Sequence, residues 1–292
     1  MKLSLCLLSW GSRKTLLNTL MSYEKNGLFL KAQEKIIFFQ EISEADVRIA
    51  KKYDLQFWSS KQNIGIGAAY KLMAEKATGD ALIFLQNDFV LAEDLRKDDS
   101  QLEAAKKLIG ENEVDVVLLR HRKFPGKPHW AADHVKGREG AVPTHLFNAL
   151  YWMENPDRAF PGIVTKNTDK PVFYMTTSQY SEFTDNPCLY RRRWFLEVLG
   201  EMHVKNHPDI TWPEQVIQPW WQKQTFRIAH GEGLFTHIRL DRPWRSHLGQ
   251  SSYAFRRTGF YRFLNAFGWF RQLEASLKKF FNPPRICSQD KP

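Results

Sequence analysis

The sequence predicts an α/β fold, a mostly parallel sheet flanked by helices and followed by a helical C-terminal tail. Three observations predict it. Short, wholly apolar runs alternate with segments of helical spacing through the first ninety residues, which is the pattern of parallel strands joined by crossover helices. The runs lack polar alternation, as strands covered on both faces do. One of them, Ala81–Leu85, also stops abruptly in the polar Gln86-Asn87-Asp88.

The elements follow in order. Leu3–Ser9 is an apolar strand. Arg13–Tyr23 carries Leu16, Leu17, Leu20 and Met21 at helical spacing. Lys35–Gln40 is a β-branched and aromatic strand. Glu44–Tyr53 is a helix with Ala45, Ile49 and Ala50 on one face. Leu55–Ser59 is a strand, Ala68–Ala77 a helix stopped by Thr78-Gly79-Asp80, and Ala81–Leu85 another buried strand. Asp94–Ile109 predicts a helix and Val114–Leu119 a strand. From His121 to Pro143 the chain turns polar, basic and rich in Gly and Pro, which predicts a loop or lid. Beyond it, Val172–Thr176 is a strand, Cys188–Leu199 starts a helix after Pro187, Thr225–Ala229 is a strand, and Phe260–Phe281 is an aromatic, basic helix.

The chain of 292 residues, 43% hydrophobic and 25% charged, can bury a sizeable core, which excludes a largely disordered protein. Cys6, Cys188 and Cys287 lie far apart in no metal-like spacing, so neither a disulfide scaffold nor a zinc finger is expected. The net charge of +10 is concentrated: Arg239–Arg285 holds ten Arg/Lys against two acids. The remainder is nearly balanced, so no specific nucleic-acid partner is expected. The apolar run Leu3–Trp10 is too short to span a bilayer and has no cleavage signature after it, so the expected location is cytoplasmic.

The strongest local signal is Ala81–Val90, an apolar strand ending in Gln86-Asn87-Asp88. In an open parallel sheet, ligands bind beyond the carboxyl ends of the strands. An acid there suits a divalent cation that carries a phosphate. It equally suits a cap on the following turn, since Asn-Asp pairs favour turns.

Taken in order, Gln62-Asn63-Ile64-Gly65-Ile66-Gly67, a helix, Ala77-Thr78-Gly79-Asp80 and then Phe84-Leu85-Gln86-Asn87-Asp88 resembles the nucleotide-sugar glycosyltransferases of the GT-A fold, most closely the broad family 2 group. The match covers about the first hundred residues. It implies a GT-A-like, Rossmann-related domain over 1–250. The half 1–120 would bind the nucleotide-sugar, the half 121–250 would bind the acceptor and carry catalysis, and 251–292 would be a helical extension. It further implies metal-dependent transfer, with Mn2+ or Mg2+, of a sugar from a UDP-sugar or similar donor to a hydroxyl of a glycan or other acceptor, with inversion. One departure is visible: Gln86 and Asn87 stand where the family prefers acids, and Asp88 alone matches the acidic cluster.

Single positions follow from the same resemblance. Ser9, Trp10, Glu41, Asn63, Gly65, Gln86, Asn87 and Asp88 fall where the family binds its nucleotide-sugar. Trp10 would stack on the base, and Glu41 would contact base or ribose. His237, in Gly233–Arg239, matches a late His that completes the metal site with Asp88, and His230 is the runner-up. Glu214, in Trp212-Pro213-Glu214-Gln215, fits the place of the catalytic base, with Asp185 in Thr184-Asp185-Asn186-Pro187 as the alternative. Such a base must take the acceptor's proton as its oxygen attacks the anomeric carbon.

Other features carry two readings each. The runs Arg120–Lys123 and Arg191–Arg193 either steer a diphosphate beside the cleft or are solvated faces. Trp130, Trp152, Trp220 and Trp221 either form a sugar platform or pack structurally. The tail stripe of Phe260, Phe263, Phe267 and Phe270 either packs on protein or makes peripheral contact with an anionic membrane. Two other functions stay open on sequence grounds. One is a sugar nucleotidyltransferase, of whose Gly-rich phosphate loop Trp10-Gly11-Ser12-Arg13-Lys14 is a partial imitation. The other is a basic nucleic-acid-binding protein.

Overall fold

The computed structural model describes residues 1–126, 153–200 and 213–240. The N-terminal elements are β1 (Leu3–Trp10), α1 (Arg13–Lys25), α2 (Leu28–Lys31), β2 (Glu34–Gln40), α3 (Glu44–Lys52), β3 (Gln56–Ser60), α4 (Ile66–Lys76) and β4 (Ala81–Gln86). There follow β5 (Phe89–Leu91), α5 (Ser100–Gly110), β6 (Val116–Arg120), α6 (Pro156–Ala159), β7 (Thr165–Lys166), β8 (Tyr174–Thr177), β9 (Cys188–Arg191), α7 (Arg192–Trp194), a π-helical stretch Phe195–Gly200, α8 (Pro213–Trp221) and β10 (Arg227–His237).

The described strands form one sheet in the order β3-β2-β1-β4-β9-β6-β10-β8-β7, with β5 paired to β10. β1, β2, β3, β4, β6, β7 and β10 run one way, and β5, β8 and β9 the other. The sheet is therefore mostly parallel, and strands from both halves of the chain share it.

Period-two alternation along β1 sends Leu3, Leu5 and Leu7 into one apolar cluster with Leu16 and Leu20 of α1, Ile49 of α3 and Leu102 of α5. Cys6 and Leu8 go into the opposite cluster with Ala69, Tyr70 and Met73 of α4, Phe195, and Ile217 of α8. Helices thus cover both faces, which is why the strands read as unbroken apolar runs. α3 starts at a capping box in which Ser43 and Asp46 exchange side-chain and backbone bonds.

The structure corrects three expectations. The helix expected from Asp94 begins at Ser100. Asp94 accepts from the Arg96 amide at 3.2 Å and Asp98 from the Ser100 amide at 2.9 Å, local bonds that offer the backbone an alternative to helix. Cys188–Leu199 does not start as a helix: Cys188–Arg191 is an antiparallel strand wedged between β4 and β6. A buried apolar run so short has no period that separates strand from helix. The strand expected at Thr225–Ala229 begins at Arg227 and extends to His237, through Gly231-Glu232-Gly233, with a register shift between His230 and Phe235. The C-terminal helix expected at Phe260–Phe281 lies outside the described residues.

Candidate functional site

From β1 the sheet steps outward through β2 and β3, and the chain then returns to lay β4 on the other side of β1. α1 and α4 pack on opposite faces. The carboxyl ends of β1 and β4 therefore flank a topological switch point, where open α/β sheets form their ligand crevice.

Residues from three strand ends converge there. Trp10 closes β1 and stays 45% exposed, a large ring left at the rim. Its indole N–H donates to Glu41 Oε2 at 3.2 Å, and Glu41 takes a left-handed turn, φ +57°, past the end of β2. Gln40 joins this rim to the next loop: Oε1 accepts from Ile64 N at 2.6 Å and Nε2 donates to Gly65 O at 3.3 Å. Asn63 Oδ1 accepts from Gly65 N at 2.8 Å, and the φ of +84° at Gly65 is one that only glycine adopts freely. Ser9 is buried beneath Trp10 in the strand.

Past β4, Asp88 is 1% exposed and carries two basic partners on one oxygen. His237 Nε2 lies 3.0 Å from Oδ2, and Arg239 donates to the same atom from Nε at 3.0 Å and Nη2 at 2.5 Å. The Ile238 amide donates to the Asp88 carbonyl at 2.7 Å, which ties the end of β10 to this turn. Burial alone would raise the Asp88 carboxyl. The hydrogen bonds and charges of His237 and Arg239 outweigh it and hold the group below the usual carboxylate range. Asn87 is buried beside it, bonded through its backbone to Leu8 and Thr19.

His237 is held from both sides. Its ring packs on Phe89 at 4.9 Å, edge to face. Its backbone amide donates to Pro125 O at 3.1 Å, and it pairs with Gly126 in an isolated bridge. A Cβ at Gly126 would fall 2.0 Å from the His237 carbonyl oxygen, and the φ there is +77°, so this approach requires glycine.

The donor set at Asp88 fits a hard cation in part. Asp88 Oδ1 is buried with no hydrogen-bond partner, an acceptor left open beside an imidazole. Among the described residues no group of three or more His, Cys, Asp and Glu surrounds such an ion. Mg2+ is commonly held by one or two carboxylates, with phosphate oxygens and water completing the shell, and Asp88 offers one such carboxylate.

The second cluster joins Asp185, Glu214 and Gln86. Glu214 opens α8, and its Oε1 accepts from Asp185 N at 3.2 Å and from Thr184 Oγ1 at 3.4 Å. Its carboxyl is pushed well above the carboxylate range by desolvation, by the charge of Asp185 and by a side-chain hydrogen bond to it. Glu214 therefore holds its proton more firmly than an ordinary carboxyl would. Gln86 Nε2 donates to Asp185 Oδ2 at 3.1 Å and to the Asp185 carbonyl at 3.2 Å. Arg120 Nη1 donates to Asn186 Oδ1 at 3.0 Å, and its guanidinium lies 5.6 Å from the Phe89 ring centroid, so it stands between the two clusters.

No protein-family model matches the sequence, and no curated protein matches it. Among solved structures, GalNAc-T7 with UDP, GalNAc and Mn2+ superposes with a TM-score of 0.54 at 12% identity, over 82% of this chain and 44% of that one. The fold is GT-A-like. S. aureus TarS 1–349 with UDP, at a TM-score of 0.48 and 16% identity, aligns over 81% of this chain and 60% of that one. The same protein with UDP-GlcNAc gives 0.49 and 16%, over 85% and 61%. The chain thus spans less than two thirds of the length of each of these neighbours.

Within the GT-A-like sheet, Trp10, Glu41, Asn63, Gly65, Gln86, Asn87 and Asp88 all lie at or just past the carboxyl ends of strands. Asp88 and His237, named together from sequence, are in contact, and Asp185 and Glu214, named as alternatives, are partners. Arg239 was not singled out. Its one local signal was its place two residues after His237, just past the end of β10.

His230 is fully buried, bonds Arg120 O through Nε2 at 2.8 Å, and is pushed down to about 3 by burial and Arg122. It is a neutral core residue. The run Arg191–Arg193 is not beside the cleft. β9 runs antiparallel to β4, so its end pairs with the first residue of β4, at the opposite rim. There Arg192 donates to the carbonyls that end α4 and Arg193 pairs with Glu197. Trp221 is buried with its N–H on Ser181 O, so it offers no free ring face, and the half-buried Trp220 packs on Phe226. Trp130 and Trp152 lie outside the described residues.

Proposed function

We propose that this protein is a metal-dependent glycosyltransferase that moves a sugar from a UDP-sugar to a hydroxyl acceptor with inversion. The observation that carries the reading is the buried, unpartnered Asp88 Oδ1 beside His237, at the switch point that also bears Trp10 and Glu41. GalNAc-T7, solved with UDP, GalNAc and Mn2+, supports a nucleotide-sugar donor and a divalent ion.

Trp10 stacks on the uracil and Glu41 accepts from the base or ribose, with the Asn63–Gly65 turn closing over them. Asp88 Oδ1 and His237 would hold Mn2+ or Mg2+, which would supply positive charge to the departing diphosphate. Arg239 keeps Asp88 ionised and oriented. Asp185, with Glu214 as its protonated neighbour, takes the proton from the acceptor hydroxyl as that oxygen attacks the anomeric carbon. This assigns Asp185 the role of base and makes Glu214 its protonated partner.

The test is UDP release from UDP-GlcNAc, UDP-GalNAc and UDP-glucose, with Mn2+ or EDTA. Release from one donor that requires Mn2+ and disappears in Asp88→Asn supports the reading. Binding of nucleoside triphosphates in preference to every UDP-sugar would instead identify a nucleotidyltransferase.

A further inference from the structure

The three residues that close the turn after β4 make three separate sets of contacts. Asp88 meets His237 and Arg239, and Asn87 is buried between strands. Gln86 meets neither. Its amide is spent on Asp185, 99 residues away in sequence. We propose that Gln86 is a positioning residue for the proton acceptor, fixing Asp185 in the Asp185–Glu214 pair. The inference rests on the reading of that pair as the base.

The geometry leaves the amide one orientation. The two Asp185 atoms it faces, Oδ2 at 3.1 Å and the carbonyl at 3.2 Å, are acceptors, so the NH2 end must point at them, and the Tyr70 hydroxyl also hydrogen-bonds the Gln86 side chain. Two donations from one group fix the Asp185 side chain relative to its own backbone. Other elements complete the grip: the Tyr70 hydroxyl on α4 donates to the Asp185 carbonyl at 3.4 Å, and Glu214 on α8 accepts from the Asp185 amide. Tyr70 is itself held by stacking on Phe84 of β4, with ring centroids 4.4 Å apart. Asp185 is thus clamped to the same strand whose next residues lead to Asp88.

This contact also accounts for the amide at position 86. An acid there would set a third carboxylate against Asp185 and Glu214, with Glu182 already acting on Glu214. Like charges so placed cannot all ionise. The other titratable groups facing Asp185 are Tyr70, Cys188 and Tyr190, which burial keeps neutral. A neutral donor at 86 favours the ionised form of Asp185, which a proton acceptor needs.

The experiment uses Gln86→Met, which keeps the length and removes the N–H, with Gln86→Asn, whose amide falls short, as a second variant. Carboxyl 13C NMR of the full chain follows ionisation of the pair, and titration with UDP and Mn2+ follows the donor site. Both variants should move the first ionisation of the pair up by about one pH unit. Both should cut kcat about tenfold on a UDP-sugar that the protein turns over, and leave UDP affinity and donor KM within twofold. An unmoved ionisation and kcat in both variants, while Asp185→Asn is inactive, overturns the positioning role alone. Full activity of Asp185→Asn would remove the base assignment beneath it.

Discussion

Arg239 and Asp88 are 151 residues apart in sequence, and their side chains meet with Nη2 2.5 Å from Oδ2 inside the protein. The charges of this pair cancel at the place where a divalent cation is proposed to bind. A cation there would meet little net charge from the pair, and a diphosphate would bring the negative charge that attracts it.

An ordered binding sequence follows from that cancellation. Mn2+ alone should bind the wild-type chain weakly and bind tightly only with UDP. Arg239→Met uncovers the Asp88 charge and should strengthen nucleotide-free Mn2+ binding at least tenfold, read by electron paramagnetic resonance of free Mn2+. Equal affinity of both proteins for the ion would show that the guanidinium does not shield the site.

Acid sensitivity should mark the same carboxylate. Its folded pKa is depressed, so its contribution to stability is complete above the ordinary value of 3.8 and is lost as pH falls through the lower folded value. Asp88→Asn should lack that acid-side loss. At neutral pH it should be less stable by about 3–5 kcal/mol, since Arg239 and His237 lose their buried partner. Chemical denaturation of both proteins at pH 3 and 7 measures the difference.

The glycine at 126 should be required for His237. Gly126→Ala places a methyl against the His237 carbonyl, so the bridge must open and the ring leave Asp88. UDP affinity with Mn2+ should fall tenfold or more while affinity without metal stays the same. A loss confined to thermal stability would mean that His237 does not serve the cation.

At the nucleotide rim, Trp10→Ala should weaken UDP by about 1–1.5 kcal/mol, as expected for loss of one stacked ring. The change should persist in EDTA, because the ring acts apart from the cation. Calorimetry on the variant with UDP and with isolated uridine reads it.

Much of this arrangement was legible in the sequence because its signals are local. An apolar run ending in a polar turn placed Asp88 past a strand end, and the family resemblance put Trp10 and Glu41 past two others. What escaped depended on contacts between distant segments. β9 is four residues long, and only its pairing with β4 and β6 makes it a strand. Asp185 and Glu214 looked like rivals because nothing in the chain records that residues 29 apart share a hydrogen bond. Gln86 looked like a degraded acid until its partner was in view, and the misplaced Arg191–Arg193 run depended on the direction of β9.

The most direct measurement is calorimetric titration of UDP into the wild-type protein and Asp88→Asn, each with Mn2+ and with EDTA. The account predicts tight binding for wild type with Mn2+ and at least a hundredfold weakening on chelation. It predicts that Asp88→Asn in Mn2+ resembles wild type in EDTA. Equal UDP affinity in all four titrations would contradict it.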